Sequence, residues 1–71
     1  MQLSEGKTGQ TYEVTAIHLP ENMERRLEAL GMTLGTSVDV LNRKGKGILI
    51  IRLRGTRFAL GYNITKSIQV R

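Results

Sequence analysis

Seventy-one residues allow one thin core, since a chain of this size buries only roughly 60% of its unfolded surface. The absence of cysteine excludes a disulfide staple and any thiolate metal site, and the longest apolar run, Ile48 to Ile51, falls far short of the roughly twenty residues a membrane-spanning helix needs. Eleven Lys and Arg against six acidic residues give a net charge of +5, which favours an acidic partner, whether nucleic acid, an anionic membrane surface or an acidic protein patch.

Met1 to Gly9, punctuated by Gly6 and Gly9, reads as a lead-in turn anchored by Leu3. Gln10 to Leu19 is rich in β-branched residues and alternates, with Tyr12, Val14 and Ala16 on one face and Glu13 and Thr15 on the other. Pro20 ends that strand, and a helix is predicted from about Glu21 to Leu30. Its apolar stripe is Met23, Leu27 and Leu30, at i, i+4 and i+7. Pro20 and Glu21 suit a first turn, Glu21 is spaced to pair with Arg25, and Gly31 suits a left-handed cap.

Gly35 opens a strand through Val38 and Val40, and the tip Arg43-Lys44-Gly45-Lys46-Gly47 turns it into Ile48 to Leu53. Arg54-Gly55-Thr56 turns again into Arg57 to Leu60, Gly61 to Thr65 is a helical turn or loop, and Ser67 to Arg71 is the last strand. Five short strands and one helix, without linker or repeat, predict a mainly β fold in one domain, a small closed or nearly closed barrel. Leu27, Leu30, Val38, Val40, Leu49, Ile51, Ala59, Ile68 and Val70 are the expected core.

The third strand is apolar on both faces. Leu49, Ile51 and Leu53 share one; Ile48 and Ile50 share the other with Arg52 and Arg54. Unpaired charges are almost never buried, so the arginine face is expected outside, with Leu41 at outward parity beside it. Either the helix or the N-terminal arm covers Ile48 and Ile50, or they form an apolar patch for a protein contact. The tip residues Arg43, Lys44 and Lys46 are expected to project together as its basic rim.

Catalysis needs a positioned nucleophile, a base and a stabiliser, and here His18 would have to fill every role, at a strand end with no Asp nearby. No catalytic residue is assigned. Glu21, Glu24 and Glu28 share a helix face, but Arg25 and Arg26 stand between them. Iron or zinc would want imidazole among the carboxylates, and His18 with Glu21 lacks further ligands. No metal ligands and no cofactor are assigned, and weak transition-metal binding is the most this set would permit. Gly45 and Gly47 lack the spacing of a phosphate-binding loop, and a strand follows them where such a loop needs a helix.

The run Arg26-Leu27-Glu28-Ala29-Leu30-Gly31-Met32-Thr33-Leu34-Gly35 has the form R-L-x-x-L-G-hydrophobic-x-x-G. Gly47 ahead of an apolar strand, Arg54-Gly55, Phe58-Ala59-Leu60 and Ile68-x-Val70 follow in order. Together, over about residues 3 to 70, they resemble the FeoA family of ferrous-iron transport accessory proteins. One departure is Thr65, where that family more often carries alanine. The resemblance implies an SH3-like barrel and a cytoplasmic role beside FeoB, a membrane ferrous transporter with a GTP-hydrolysing cytosolic domain. It also assigns scaffold roles to Arg26, Leu27, Leu30, Gly31, Gly35, Gly55, Ala59 and Leu60.

The expected function is therefore a non-enzymatic adaptor that docks on such a transporter at its cytosolic side and modulates it. Its contact residues are expected among Leu41, Arg43, Lys44, Lys46, Ile48, Ile50, Arg52 and Arg54. A basic nucleic-acid-binding barrel and a direct transition-metal carrier or sensor are the alternatives. A stable nucleic-acid partner is not expected, contact with the membrane is expected through the transporter alone, and an edge strand could support self-association.

Overall fold

Turn chemistry and alternation place the elements close to where the sequence predicts them. In the computed structural model, which describes residues 1–71, a 3-10 turn at Leu3–Glu5 precedes strand β1 (Thr11–Ile17) and helix α1 (Glu21–Ala29). Strands β2 (Ser37–Lys44), β3 (Ile48–Leu53) and β4 (Thr56–Leu60), the one-turn helix α2 (Tyr62–Thr65) and strand β5 (Ile68–Val70) follow. The strands form one antiparallel sheet in the order β4-β3-β2-β1-β5.

The N-terminal arm covers one edge of this sheet. Val70 N–H donates to the Met1 carbonyl at 2.7 Å, the Met1 amine donates back to Val70 O at 3.0 Å, and Gln2 bridges Gln69. Leu3, fully buried, pins the arm to the core. The opposite edge, β4, has no partner strand, so it is where a second chain could add by strand pairing.

The inward faces supply the core: Val14, Val38, Val40, Leu49, Ile51, Leu53, Leu60, Ile68 and Val70, closed by Leu3, Leu27 and Met32. Seven of the nine expected core residues are among them, and two are not. Leu30 is 45% exposed. It is the cap residue of α1, after which the chain reverses at Gly31 (φ 103°). Gly31 N–H donates to Glu28 O and Met32 N–H to Leu27 O, both at 2.9 Å. This paired closure brings the residue after the glycine back over the last turn. Met32 thus fills the core position that an uninterrupted helical stripe would give to Leu30. Ala59 is also exposed, because it pairs with Ile50 on the outer face while Phe58 and Leu60 pair with Ile51 and Leu49.

The β3–β4 connection is a two-residue turn in which Arg54 (φ 50°) and Gly55 (φ 80°) both have positive φ. Such turns match the twist of the strands they join. Thr65 is buried, and its hydroxyl donates to Tyr62 O at 3.4 Å, so the polar atom that replaces alanine's hydrogen is satisfied.

Candidate surface site on the outer face of β3 and the basic turn

Register determines which side chains share the outer face. Ile50 pairs with Ala59 on one side, Arg52 with Arg57 on the same strand pair, and Arg52 with Asp39 across β2. A bulge between Val40 and Asn42 sets Leu41 and Asn42 together against Ile50. Ile48 is 39% exposed, while Ile50 and Leu41 are half-buried. The elements that run nearest β3 are β2, β4 and α2. Register places Ile48 and Ile50 on this face, with Leu41 at the bulge beside Ile50, so the apolar surface they offer is modest.

The bulge has a second effect. An extra residue in one strand shifts its alternation by one, so Arg43 pairs with buried Leu49 and takes inward parity. Its guanidinium leaves the turn and donates to the carbonyls of Ser4 (2.8 Å) and Gly6. The expectation that Arg43 projects with Lys44 and Lys46 is corrected: it ties β2 to the N-terminal arm. Arg54 also leaves the proposed rim. It lies at the far end of β3, roughly 20 Å along the strand from Ile48, and its Nε donates to Gly31 O at 3.1 Å.

The charges are unevenly divided. All six acidic residues precede Val40, whereas only Lys7, Arg25 and Arg26 of the eleven cations do, which leaves eight cations and no acid in residues 40–71. Ion pairs neutralise some of these. Arg52 meets Asp39 (3.0 Å), Arg71 meets Glu13 (3.2 Å), and Arg25 meets Glu21 as its spacing predicts. Asp39 accepts hydrogen bonds from the Thr11 hydroxyl (2.7 Å) and Arg52 Nε (3.1 Å), which hold its carboxyl below the ordinary carboxylate value. Lys44, Lys46, Arg57 and Lys66 pair with no carboxylate.

Tyr62 and Lys66 are the surface residues that sequence reasoning missed. Tyr62 is 53% exposed and packs on Gly47, where a Cβ would come within 2.8 Å of the Tyr62 Cβ. Gly47 also has φ 88°, so both its backbone and its neighbour require glycine. Lys66 Nζ lies 5.7 Å from the Tyr62 ring centroid, within cation–π range. Tyr62 in the predicted turn or loop Gly61 to Thr65, with Lys66 four residues on and just past its end, was the available signal. His18 is exposed, and no group of three or more His, Asp or Glu side chains is gathered closely enough to hold a metal ion.

The FeoA domain model matches residues 1–71. Among solved structures, the crystal structure of an iron uptake regulatory protein (FeoA) is 33% identical with a TM-score of 0.86, over 99% of this chain and 92% of that one. FeoA from Chlorobium tepidum is 31% identical with a TM-score of 0.91, over 99% of this chain and 68% of that one. FeoA from Stenotrophomonas maltophilia, solved with zinc and described as an SH3-domain protein and a candidate ferrous iron transport activating factor, is 29% identical. Its TM-score is 0.83, over 100% of this chain and 89% of that one. No curated protein sequence matches the chain. With the FeoA match running through every residue, and the five-stranded SH3-like fold shared with these structures, the chain belongs to the FeoA family of small accessory proteins of ferrous iron transport.

Proposed function

We propose that the protein is a non-enzymatic, cytoplasmic adaptor that docks on the cytosolic side of a FeoB-type ferrous transporter and modulates it. The observation that carries this reading is the full-length FeoA match, joined to an outer face that carries three partly exposed apolar residues. In this role Ile48, Ile50 and Leu41 form the centre of the contact. Lys44, Lys46 and Arg57 form its charged rim, an arrangement common in protein interfaces. Arg43 and Arg54 support it indirectly, by fixing the N-terminal arm and the helix end against the strands. Ferrous iron is the transporter's cargo, and this chain needs no resident metal for the role.

The test is binding of the purified protein to the cytosolic GTPase domain of a FeoB-type transporter. Saturable binding that changes little with salt supports docking through the apolar centre. A nucleic-acid-binding role, favoured by the eight cations of residues 40–71, would instead give DNA or RNA affinity that falls steeply with salt.

A further inference from the structure

The β2–β3 turn and α2 meet at one pole of the molecule. Lys44 and Ile48 pair at the root of the turn, Lys46 sits at its apex, and Tyr62 packs on Gly47 with Lys66 over its ring. No acidic residue occurs in either segment. The 3-10 turn nearby carries Glu5, whose carboxylate accepts from the Gln2 N–H at 2.9 Å and so faces its own turn. The two segments that meet here thus carry three lysines without carboxylate partners, together with a half-exposed tyrosine and a partly exposed isoleucine.

We propose that this pole rests directly on an anionic lipid surface, independently of any transporter. Lysines attract the diffuse charge of anionic headgroups, and their alkyl stems let the ammonium stay in water while the chain lies near lipid. Tyrosine has an apolar body and a polar tip, which suits the headgroup level of a bilayer. The same pole is a poor nucleic-acid site. A lone aromatic cannot stack a run of bases, and the turn's one guanidinium, Arg43, is held by the Ser4 and Gly6 carbonyls. The membrane contact expected from sequence through the transporter alone thus gains a direct component.

Vesicle co-sedimentation of the full chain tests this. Binding is expected on vesicles containing phosphatidylglycerol, to fall as salt rises, and to be absent on phosphatidylcholine alone. Lys44→Gln/Lys46→Gln should weaken it about 25-fold, about fivefold per lysine. Arg25→Gln/Arg26→Gln removes the same charge from α1 and should change it less than about twofold. Tyr62→Ala should weaken binding without altering its salt dependence. Should thermal melts show the double lysine variant to be unstable, Lys66→Gln, on a different element, gives the same reading. Equal loss from the α1 pair, equal binding to uncharged vesicles, or preferential binding to duplex DNA at the same salt would each overturn the proposal. Because only this chain and lipid are present, its failure leaves the docking reading untouched.

Discussion

Arg54 lies across Gly31. Its Nε donates to the Gly31 carbonyl at 3.1 Å, and a Cβ on Gly31 would stand 2.7 Å from the Arg54 Cδ. The glycine that ends α1 and the arginine that opens the β3–β4 turn are thus one structural unit, although 23 residues separate them. Two motif pieces that resemble the family one by one are physically a single contact. Gly31→Ala should cost at least about 1–2 kcal/mol, from forcing an alanine into left-handed backbone, and more because Arg54 must move. Arg54→Gly keeps the turn, since glycine accepts positive φ, and removes the obstruction. In that background Gly31→Ala should cost less, a coupling that urea denaturation of the four proteins would read. An identical cost in both backgrounds would show the contact to be slack.

The helix end provides a sharper comparison. Leu27→Ala removes a buried side chain and should cost about 2–5 kcal/mol, a large share of a small domain's stability. Leu30→Ala, three residues on and 45% exposed, should cost less than about 1 kcal/mol. Chemical denaturation of both variants checks the pair, and a reversed order would mean that the helix presents a different face.

Acid should find Asp39. Its carboxyl is held below the ordinary carboxylate value, first by the Thr11 hydroxyl and then by Arg52. The stability it contributes is fully present above the unfolded value. It is lost as pH falls through the lowered folded value, because the unfolded chain takes up the proton first. Asp39→Asn should therefore lower stability at neutral pH and flatten the acid limb of the stability profile. A variant that parallels the parent at every pH would show the carboxylate to be idle.

Much of the fold was legible because alternation, glycine caps and turn residues act locally. Gly31, Gly47 and Gly55 sit where positive φ is required, and β3 parity separated Leu49, Ile51 and Leu53 from the outer face. The bulge at Val40/Asn42 was not legible, since no glycine or proline marks it, and it alone moves Arg43 from the rim to the arm. Nor does sequence show which cations find carboxylates. That depends on register, which places Asp39 beside Arg52 and Glu13 beside Arg71. Leu30 was misplaced because the periodic stripe was carried onto the cap residue itself, whereas the closure at Gly31, read correctly as the cap, folds Met32 back over the last turn in its place.

Isolated metal binding should be weak. His18 and the acidic residues are dispersed, with no cluster of three, and a tight site needs several ligands in place. Anaerobic calorimetry with ferrous iron, and with zinc, should give no sub-micromolar site. A tight stoichiometric site lost on His18→Ala would contradict this.

Docking through the outer face of β3 is tested most directly by Ile50→Glu and Ile48→Glu, with binding to the transporter's GTPase domain and thermal melts measured on the same samples. A residue at the centre of an interface contributes about 2 kcal/mol or more, so each variant should weaken binding by roughly 30-fold while the melting temperature stays within a few degrees of the parent. Lys44→Gln/Lys46→Gln should mainly slow association and soften its salt dependence, as rim charges do. Loss of binding only in step with a collapsed melt, or unchanged binding by a folded Ile48→Glu protein, would contradict the account.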